Sequence, residues 1–343
     1  MRYKILGRSG LRVSEICLGT MTFGTEWGWG ADKTESRRQF DAFIYAGGNF
    51  IDTANRYTNG TSEQFLGDFI RETGTRDEIV MATKFSLYNK EKTLNDGGNH
   101  RKNLVRTLEG SLKRLKMDYV DILYVHAWDF STPVEEVMRA LEDVVKAGKV
   151  LHIAVSDTPA WVVSKANTVA DFRGWSQFIA MQIEYSLITR DGERDLIPMA
   201  NDLDIAVTAW APLAGGALTG KYLKNPEEKG RVTPESKRRN EASIKIAKEV
   251  SALAEGIGCS PAHVALKWVM NKNVIPIVGA RTSEQLEDNL KSKDIVLNEE
   301  QMIRLDEVSK IELGFPHEFL QGDVVSNLLY GGMLNKIDFK RRV

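Results

Sequence analysis

Cysteine is nearly missing from this chain: Cys17 and Cys259 are the only two in 343 residues, and their spacing suits no metal. Two such thiols make no disulfide framework and read as reduced core residues of a cytosolic protein. The patterns C-x-x-C and H-E-x-x-H are absent, which argues against a zinc hydrolase. No run of about 18 apolar residues is present to span a bilayer as a helix. Met1-Arg2-Tyr3-Lys4 opens no apolar signal segment either. Excess charge is lacking too, because 46 Lys and Arg against 47 Asp and Glu leave a formal net charge of −1. That balance gives no long-range pull towards nucleic acid or an anionic membrane, so any anion site has to be local. Repeats, low-complexity tracts and Gly/Ser linkers are also absent. The expectation is a soluble cytoplasmic protein with one domain over residues 1–343.

What is present is a rhythm. Residues 2 to 15 predict a hairpin, with Tyr3, Ile5 and Leu6 before a turn at Gly7-Arg8-Ser9-Gly10 and Leu11 and Val13 after it. Short apolar runs then recur at Ile16–Leu18, Phe50–Ile51, Ile79–Ala82, Ile122–Val125, Val150–Val155, Ile179–Ile183, Ile205–Ala209 and Val274–Val278. Segments of helical period separate them. Residues 101–116 put Leu104, Val105, Leu108, Leu112 and Leu115 on one face. Residues 132–147 open with Thr132-Pro133-Val134-Glu135, a capping-box pattern with proline at the first helical position. Residues 241–257 and 261–272 are further helical segments, beyond a Lys/Glu/Pro-rich loop at 222–239. Most strand starts lie about 25 to 40 residues apart, the span of a strand plus a crossover helix. Eight buried strands alternating with helices predict an α/β fold, a closed (β/α)8 barrel (TIM barrel) with an N-terminal β-hairpin. An open doubly wound sheet gives the same strand count and remains the alternative.

Ionisable residues stand at the ends of consecutive runs. The second run ends on Asp52, the third on Lys84 and the fourth on His126, with Tyr57 in the polar loop after Asp52. Singly, each has an ordinary explanation: Asp52 caps a helix, Lys84 snorkels, His126 is a hydrogen-bonded core residue. Together they bring an acid, a base, an imidazole and a phenol to one rim, where burial is costly unless they pair. Such a set suits protonation of a carbonyl oxygen. A free tyrosine has a pKa near about 10 and a neighbouring ammonium lowers it, so Lys84 is expected to tune Tyr57 while Asp52 holds Lys84 and His126 orients the oxygen. None of the four supplies a hydride, so a reduction needs a cofactor.

Barrels commonly bind phosphate in the loops after strands seven and eight. Here those are Trp210-Ala211-Pro212-Leu213-Ala214-Gly215-Gly216 and Gly279-Ala280-Arg281-Thr282-Ser283, the latter leading into a helix whose first amides attract anions. Arg281 suits a 2′-phosphate, unless it is a solvated surface arginine. Gly215 to Lys221 also matches G-x-x-x-x-G-K, but Tyr222 stands where a P-loop needs Ser or Thr. The G-x-G-x-x-G fingerprint of a Rossmann site is absent.

Gly48-Asn49-Phe50-Ile51-Asp52-Thr53-Ala54-Asn55-Arg56-Tyr57, with Ser62-Glu63 and Leu66-Gly67 beyond, resembles the first signature of the aldo-keto reductases. The similarity runs from Leu6-Gly7-Arg8-Ser9-Gly10-Leu11 to Val278-Gly279-Ala280-Arg281. It implies a (β/α)8 barrel that binds NADPH without a Rossmann domain, with Asp52, Tyr57, Lys84 and His126 as the catalytic tetrad. By position, the resemblance places Gly19, Thr20 and Met21 along the cofactor. Ser156, Asp157 and Gln182 then hold the nicotinamide carboxamide, with Trp210 stacked on its ring. Ala211, Pro212, Leu213, Ala214, Gly215, Gly216 and Lys221 follow the pyrophosphate. Arg281, Gln285 and Asn289 take the 2′-phosphate and adenine, Gly279 is a further cofactor-binding residue in the same loop, and Arg231 is a candidate clamp. The usual Ser-Asn pair after strand five is Ser156-Asp157 here; an ionised Asp accepts from the carboxamide NH₂ but cannot donate to its oxygen. Relatives that reduce carbon–carbon double bonds carry glutamate at the histidine position, so His126 favours carbonyl chemistry.

The leading expectation is therefore an NADPH-dependent reductase of small-molecule aldehydes or ketones. The rival is a cofactor-binding regulatory protein like the potassium-channel β subunits, although no obvious docking segment is present. Around Tyr57 and His126, the residues Trp27, Trp29, Phe85, Tyr88 and Trp128 are candidates to wall an aromatic substrate pocket, or else loop anchors. The tail after Leu313 closes over the site or packs outside the barrel.

Overall fold

The computed structural model describes residues 1–338 apart from Pro226, Lys229, Arg231 and Pro234; the expected clamp Arg231 lies outside the described residues. Strands β1 (Tyr3–Ile5) and β2 (Arg12–Ser14) pair antiparallel, Tyr3 opposite Ser14. Their turn is pressed against the starts of two barrel strands: a Cβ on Gly7, at φ +52°, would lie 2.2 Å from the Ile179 carbonyl oxygen. Only glycine tolerates both that φ and that approach. Leu6 and Val13 flank the turn and join the apolar cluster inside the barrel, so the hairpin plugs its amino end.

The barrel strands are β3 (Cys17–Gly19), β4 (Phe50–Asp52), β5 (Val80–Phe85), β6 (Val120–Val125), β7 (Val150–Ser156), β8 (Phe178–Glu184), β9 (Ala206–Trp210) and β10 (Ile275–Val278). All neighbours run parallel, and β10 pairs with both β9 and β3. That closure excludes the open sheet. Between the strands come α1 (Lys33–Tyr45), α2 (Thr61–Thr73), α3 (Arg101–Leu115), α4 (Val134–Lys146), α5 (Ala160–Arg173) and α6 (Leu196–Asp202). Short α7 (Lys221–Lys224), then α8 (Glu241–Ile257) and α9 (Pro261–Asn271), fill the long gap before β10. After it follow α10 (Ser283–Leu290), α11 (Glu299–Val308), α12 (His317–Gln321) and α13 (Asp323–Tyr330).

Strand alternation sorts the core into two shells. Cys17, Phe50, Val80, Ala82, Ile122, Tyr124, Ala154, Ala180, Ile275 and Ile277 point inward. Leu18, Ile51, Met81, Phe85, Leu123, Val125, Val155 and Met181 point outward, under the helices. Leu104, Leu108, Leu112 and Leu115 of α3 are buried against that outer shell, each fully buried leucine contributing about 1.5–3 kcal/mol. Val105, expected on the same face, is exposed. The capping box expected at Thr132 does not form. The N-cap of α4 is Pro133, which has no side-chain acceptor to offer, and the Thr132 hydroxyl donates to Asp129 at 2.8 Å instead.

The described part of the tail, residues 314–338, neither lines the cleft nor packs firmly on the barrel. Helices α12 and α13 pack mainly on each other, and Phe315, Val324, Leu328 and Leu329 are largely exposed. Among the described residues, no helix is long and apolar enough to cross a membrane.

Candidate active site

Counting inward positions along each strand leads to one rim. Cys17 points in, hence Gly19; Phe50, hence Asp52; Ala82, hence Lys84; Tyr124, hence His126 just past β6; Ala154, hence Ser156; Ala180, hence Gln182. Gly19, Asp52, His126, Ser156, Gln182, Trp210 and Gly279 all line one cleft of about 810 Å³ at the carboxyl ends of the strands. Lys84 lies just beneath its floor, wholly buried.

The Lys84 ammonium has three donors, and three acceptors meet it. Asp52 Oδ2 lies at 2.5 Å, the Thr53 carbonyl at 3.0 Å and the Tyr57 hydroxyl oxygen at 3.0 Å. Asp52 Oδ1 accepts from Gln182 Nε2 at 2.9 Å, so both carboxylate oxygens are held. Because Lys84 donates to the Tyr57 oxygen, the phenol proton is left for another acceptor. The loop carrying Tyr57 is pinned from behind: Thr58 Oγ1 donates to the Phe23 carbonyl, and Thr53 and Ser62 share a hydroxyl contact of 2.9 Å. Thr20 belongs to this buttress. Its hydroxyl donates to the Asp52 carbonyl at 2.9 Å and it is fully buried, so it supports the site from beneath and does not line the cleft.

Burial pulls the Lys84 pKa down, but Asp52 and Tyr57 more than offset it, and the net shift is upward. Lys84 is therefore charged. Burial pushes the Tyr57 phenol up, and the opposing pull of Lys84 does not cancel it. The expected acidification of Tyr57 is thus outweighed by desolvation. The phenol stays protonated, the form an acid must start from. His126 is pushed down to about 3, first by burial and then by Lys84, so its imidazole is neutral. Its ring meets Tyr57 edge-on, centroids 5.9 Å apart, and its buried Nδ1 has no partner among the described residues.

Along the cleft, Met21, Ala211, Pro212, Leu213, Gly215, Gly216, Lys221, Arg281, Gln285 and Asn289 are lining residues; Ala214 is buried behind them. Gly215 and Gly216 take φ of 68° and 97°. A Cβ on the first would lie 3.2 Å from an Arg238 nitrogen, and one on the second 3.3 Å from Lys221 Cε. Bare backbone beside Lys221, with Arg238 across it held by Glu184, is a cradle suited to a pyrophosphate. The helix-end site expected at Ser283 is different. Its amide already donates to Glu35, and the Gln285 amide to Thr282 Oγ1. The free donor there is Arg281, exposed and with no ion-pair partner among the described residues.

The candidate aromatic wall divides. Trp27 lines the cleft, with Trp29 behind it at 5.7 Å. Tyr88 sits outside, its ring 4.6 Å from the Arg56 guanidinium. Trp128 packs on the outer core. Phe85 faces away altogether: it follows inward-pointing Lys84, so alternation sends it into the outer shell, where it is fully buried. Parity within the strand already carried that signal. Sequence reasoning missed Arg56, Thr22, Leu87 and Arg238, all of which line the cleft. Arg238 donates to Glu184 Oε1 at 2.5 Å and lies 6.0 Å from the Trp210 ring. It sits in Lys237-Arg238-Arg239, which looks like a solvated basic loop and gave no local sign of this contact.

Comparison with known proteins gives a consistent result. The model of the Aldo/keto reductase family matches residues 15–310. An aryl-alcohol dehydrogenase [NADP(+)] of Phanerodontia chrysosporium is 41% identical over 339 residues, covering 92% of this chain and 87% of that protein. A norsolorinic acid reductase of Emericella nidulans is 39% identical over 322 residues, covering 91% and 82%.

Proposed function

This chain belongs to the aldo/keto reductase family, and from that premise we propose that it reduces aldehydes or ketones to alcohols with NADPH, using Tyr57 as the acid. The observation carrying this reading is the buried contact of Lys84 with both Tyr57 and Asp52 beneath the cleft floor. When held in the cleft, NADPH would be the source of the hydride, one hydrogen with two electrons, that the carbonyl carbon takes up. Tyr57 gives its proton to the carbonyl oxygen, and the phenolate left behind is stabilised by the ammonium 3.0 Å away. Asp52 keeps Lys84 charged and in place. His126 is neutral, so it orients the oxygen by a hydrogen bond and does not compete as the acid.

For the cofactor, Ser156, Gln182 and Trp210 suit the nicotinamide end, Gly215, Gly216 and Lys221 the pyrophosphate, and Arg281, Gln285 and Asn289 the 2′-phosphate and adenine. Trp27 and Leu87, which line the same cleft as Tyr57, offer apolar surface to a substrate. With relatives named for an aryl alcohol and for norsolorinic acid, an aryl carbonyl is the favoured substrate. Replacing Tyr57 by Phe tests the reading. Turnover should fall roughly 10²–10⁴-fold, the usual worth of a positioned acid, with little change in NADPH affinity. Wild-type rates in that variant would remove Tyr57 from the role.

A further inference from the structure

Among the described carboxylates that line the cleft, Asp52 and Asp288 have cation partners and one has none. Lys84 is matched by Asp52, and Arg238 by Glu184. His126 is neutral and Tyr57 protonated. Asp157 remains. Its Oδ1 accepts from the Trp210 indole Nε1 at 3.0 Å, and no cation pairs with it among the described residues. The residue is held firmly: its amide donates to the Gln182 carbonyl at 3.3 Å, and its carbonyl accepts from the Trp128 amide at 3.4 Å. Its φ is +40°, a left-handed conformation that Asp and Asn tolerate best.

Asn would satisfy every one of these structural demands. It accepts from an indole N–H and adopts the same backbone conformation. The negative charge is the one property of Asp157 with no structural task. Burial raises the carboxyl's pKa, with Glu184 adding to the rise, while the Trp210 hydrogen bond and the Lys84 charge oppose it.

We infer that Asp157 biases the cleft towards the oxidised cofactor, its carboxylate favouring the cationic nicotinamide ring over the neutral reduced one. This rests on the function proposed above. Carbonyl reduction moves two electrons and one hydrogen to the carbonyl carbon and a proton from Tyr57 to the oxygen, so the ring goes from neutral to cationic. Asp157 stabilises the state in which that positive charge has appeared. On the protein, NADPH becomes the stronger reductant and NADP⁺ the more tightly held product.

Titration calorimetry with NADP⁺ and NADPH at pH 8 tests this on wild type, Asp157→Asn and Asp157→Glu. In Asp157→Asn, NADP⁺ should bind roughly tenfold more weakly, about 1.4 kcal/mol, while NADPH changes by less than about threefold. Asp157→Glu keeps the charge and should keep the wild-type preference. An Asn variant that weakens both forms equally would make Asp157 a carboxamide ligand or a structural residue, and one that changes neither would leave its charge without a role. Either result overturns the inference. If neither nucleotide binds wild type, the proposed function itself falls; normal binding with an unchanged ratio sinks only the assignment of Asp157.

Discussion

Replacing Asp52 by Asn removes one charge from an ion pair that water barely reaches, with side-chain exposures of 0% for Lys84 and 3% for Asp52. Asn keeps the shape and an oxygen for Lys84, but it turns an NH₂ towards Gln182 Nε2, so the Gln182 amide has to rotate and offer its own oxygen for the loss to be mainly that of the charge. Breaking a buried pair costs about 3–5 kcal/mol, because the remaining ion is stranded. The protein can limit that loss by releasing the Lys84 proton. At pH 7 this costs about 4.6 kcal/mol, since an ordinary lysine titrates near about 10.4 and each pH unit is worth ~1.36 kcal/mol. At pH 9 the same escape costs only about 1.9 kcal/mol. In wild type, the folded-state pKa of Lys84 lies above its ordinary value. The pair's stabilisation is then fully present below the unfolded pKa, and wild type shows no slope from Lys84 between pH 6.5 and 9. In Asp52→Asn, a neutral Lys84 in the folded state means that the unfolded chain binds more protons, so stability rises with pH. Urea denaturation of both proteins across that window should give a deficit of about 3–5 kcal/mol at pH 7 that shrinks by up to ~1.4 kcal/mol per pH unit. A deficit under about 1 kcal/mol and flat with pH would refute the reasoning, because such a pair would be solvated.

Three further expectations concern neighbouring residues. Since His126 is held near 3, kcat/KM for carbonyl reduction should show no histidine inflection between about pH 5 and 8; an inflection that disappears in His126→Gln would contradict its neutrality. Arg281→Leu should weaken NADPH binding about tenfold or more and leave NADH binding unchanged, because only the former carries the 2′-phosphate; equal weakening of both would place Arg281 elsewhere on the cofactor. Phe85→Ala should cost about 3–5 kcal/mol in urea denaturation while KM for an aryl aldehyde stays put, as its ring fills the outer core; a raised KM with unchanged stability would return Phe85 to the substrate pocket.

Much of this was legible along the chain. Eight apolar runs at crossover spacing favoured the barrel over an open sheet, and each run's last residues placed Asp52, Lys84 and His126 on one rim, because strand alternation is a local property that survives folding. Counting that parity through would also have sent Phe85 outward. What could not be read locally is whatever depends on surroundings assembled from distant segments. The Tyr57 phenol is raised despite Lys84 because desolvation is set by every strand packed around it. The amide of Ser283 is taken by Glu35, 248 residues earlier in the chain. Arg238 reaches the cleft because Glu184 draws it there across a long loop. Residue order thus determined which groups face inward and at which end, since a strand's geometry needs only its own backbone. The closed tertiary structure decided which of those groups are dry, which charges are cancelled and which remain, because dielectric surroundings and pairing exist only once the barrel has closed.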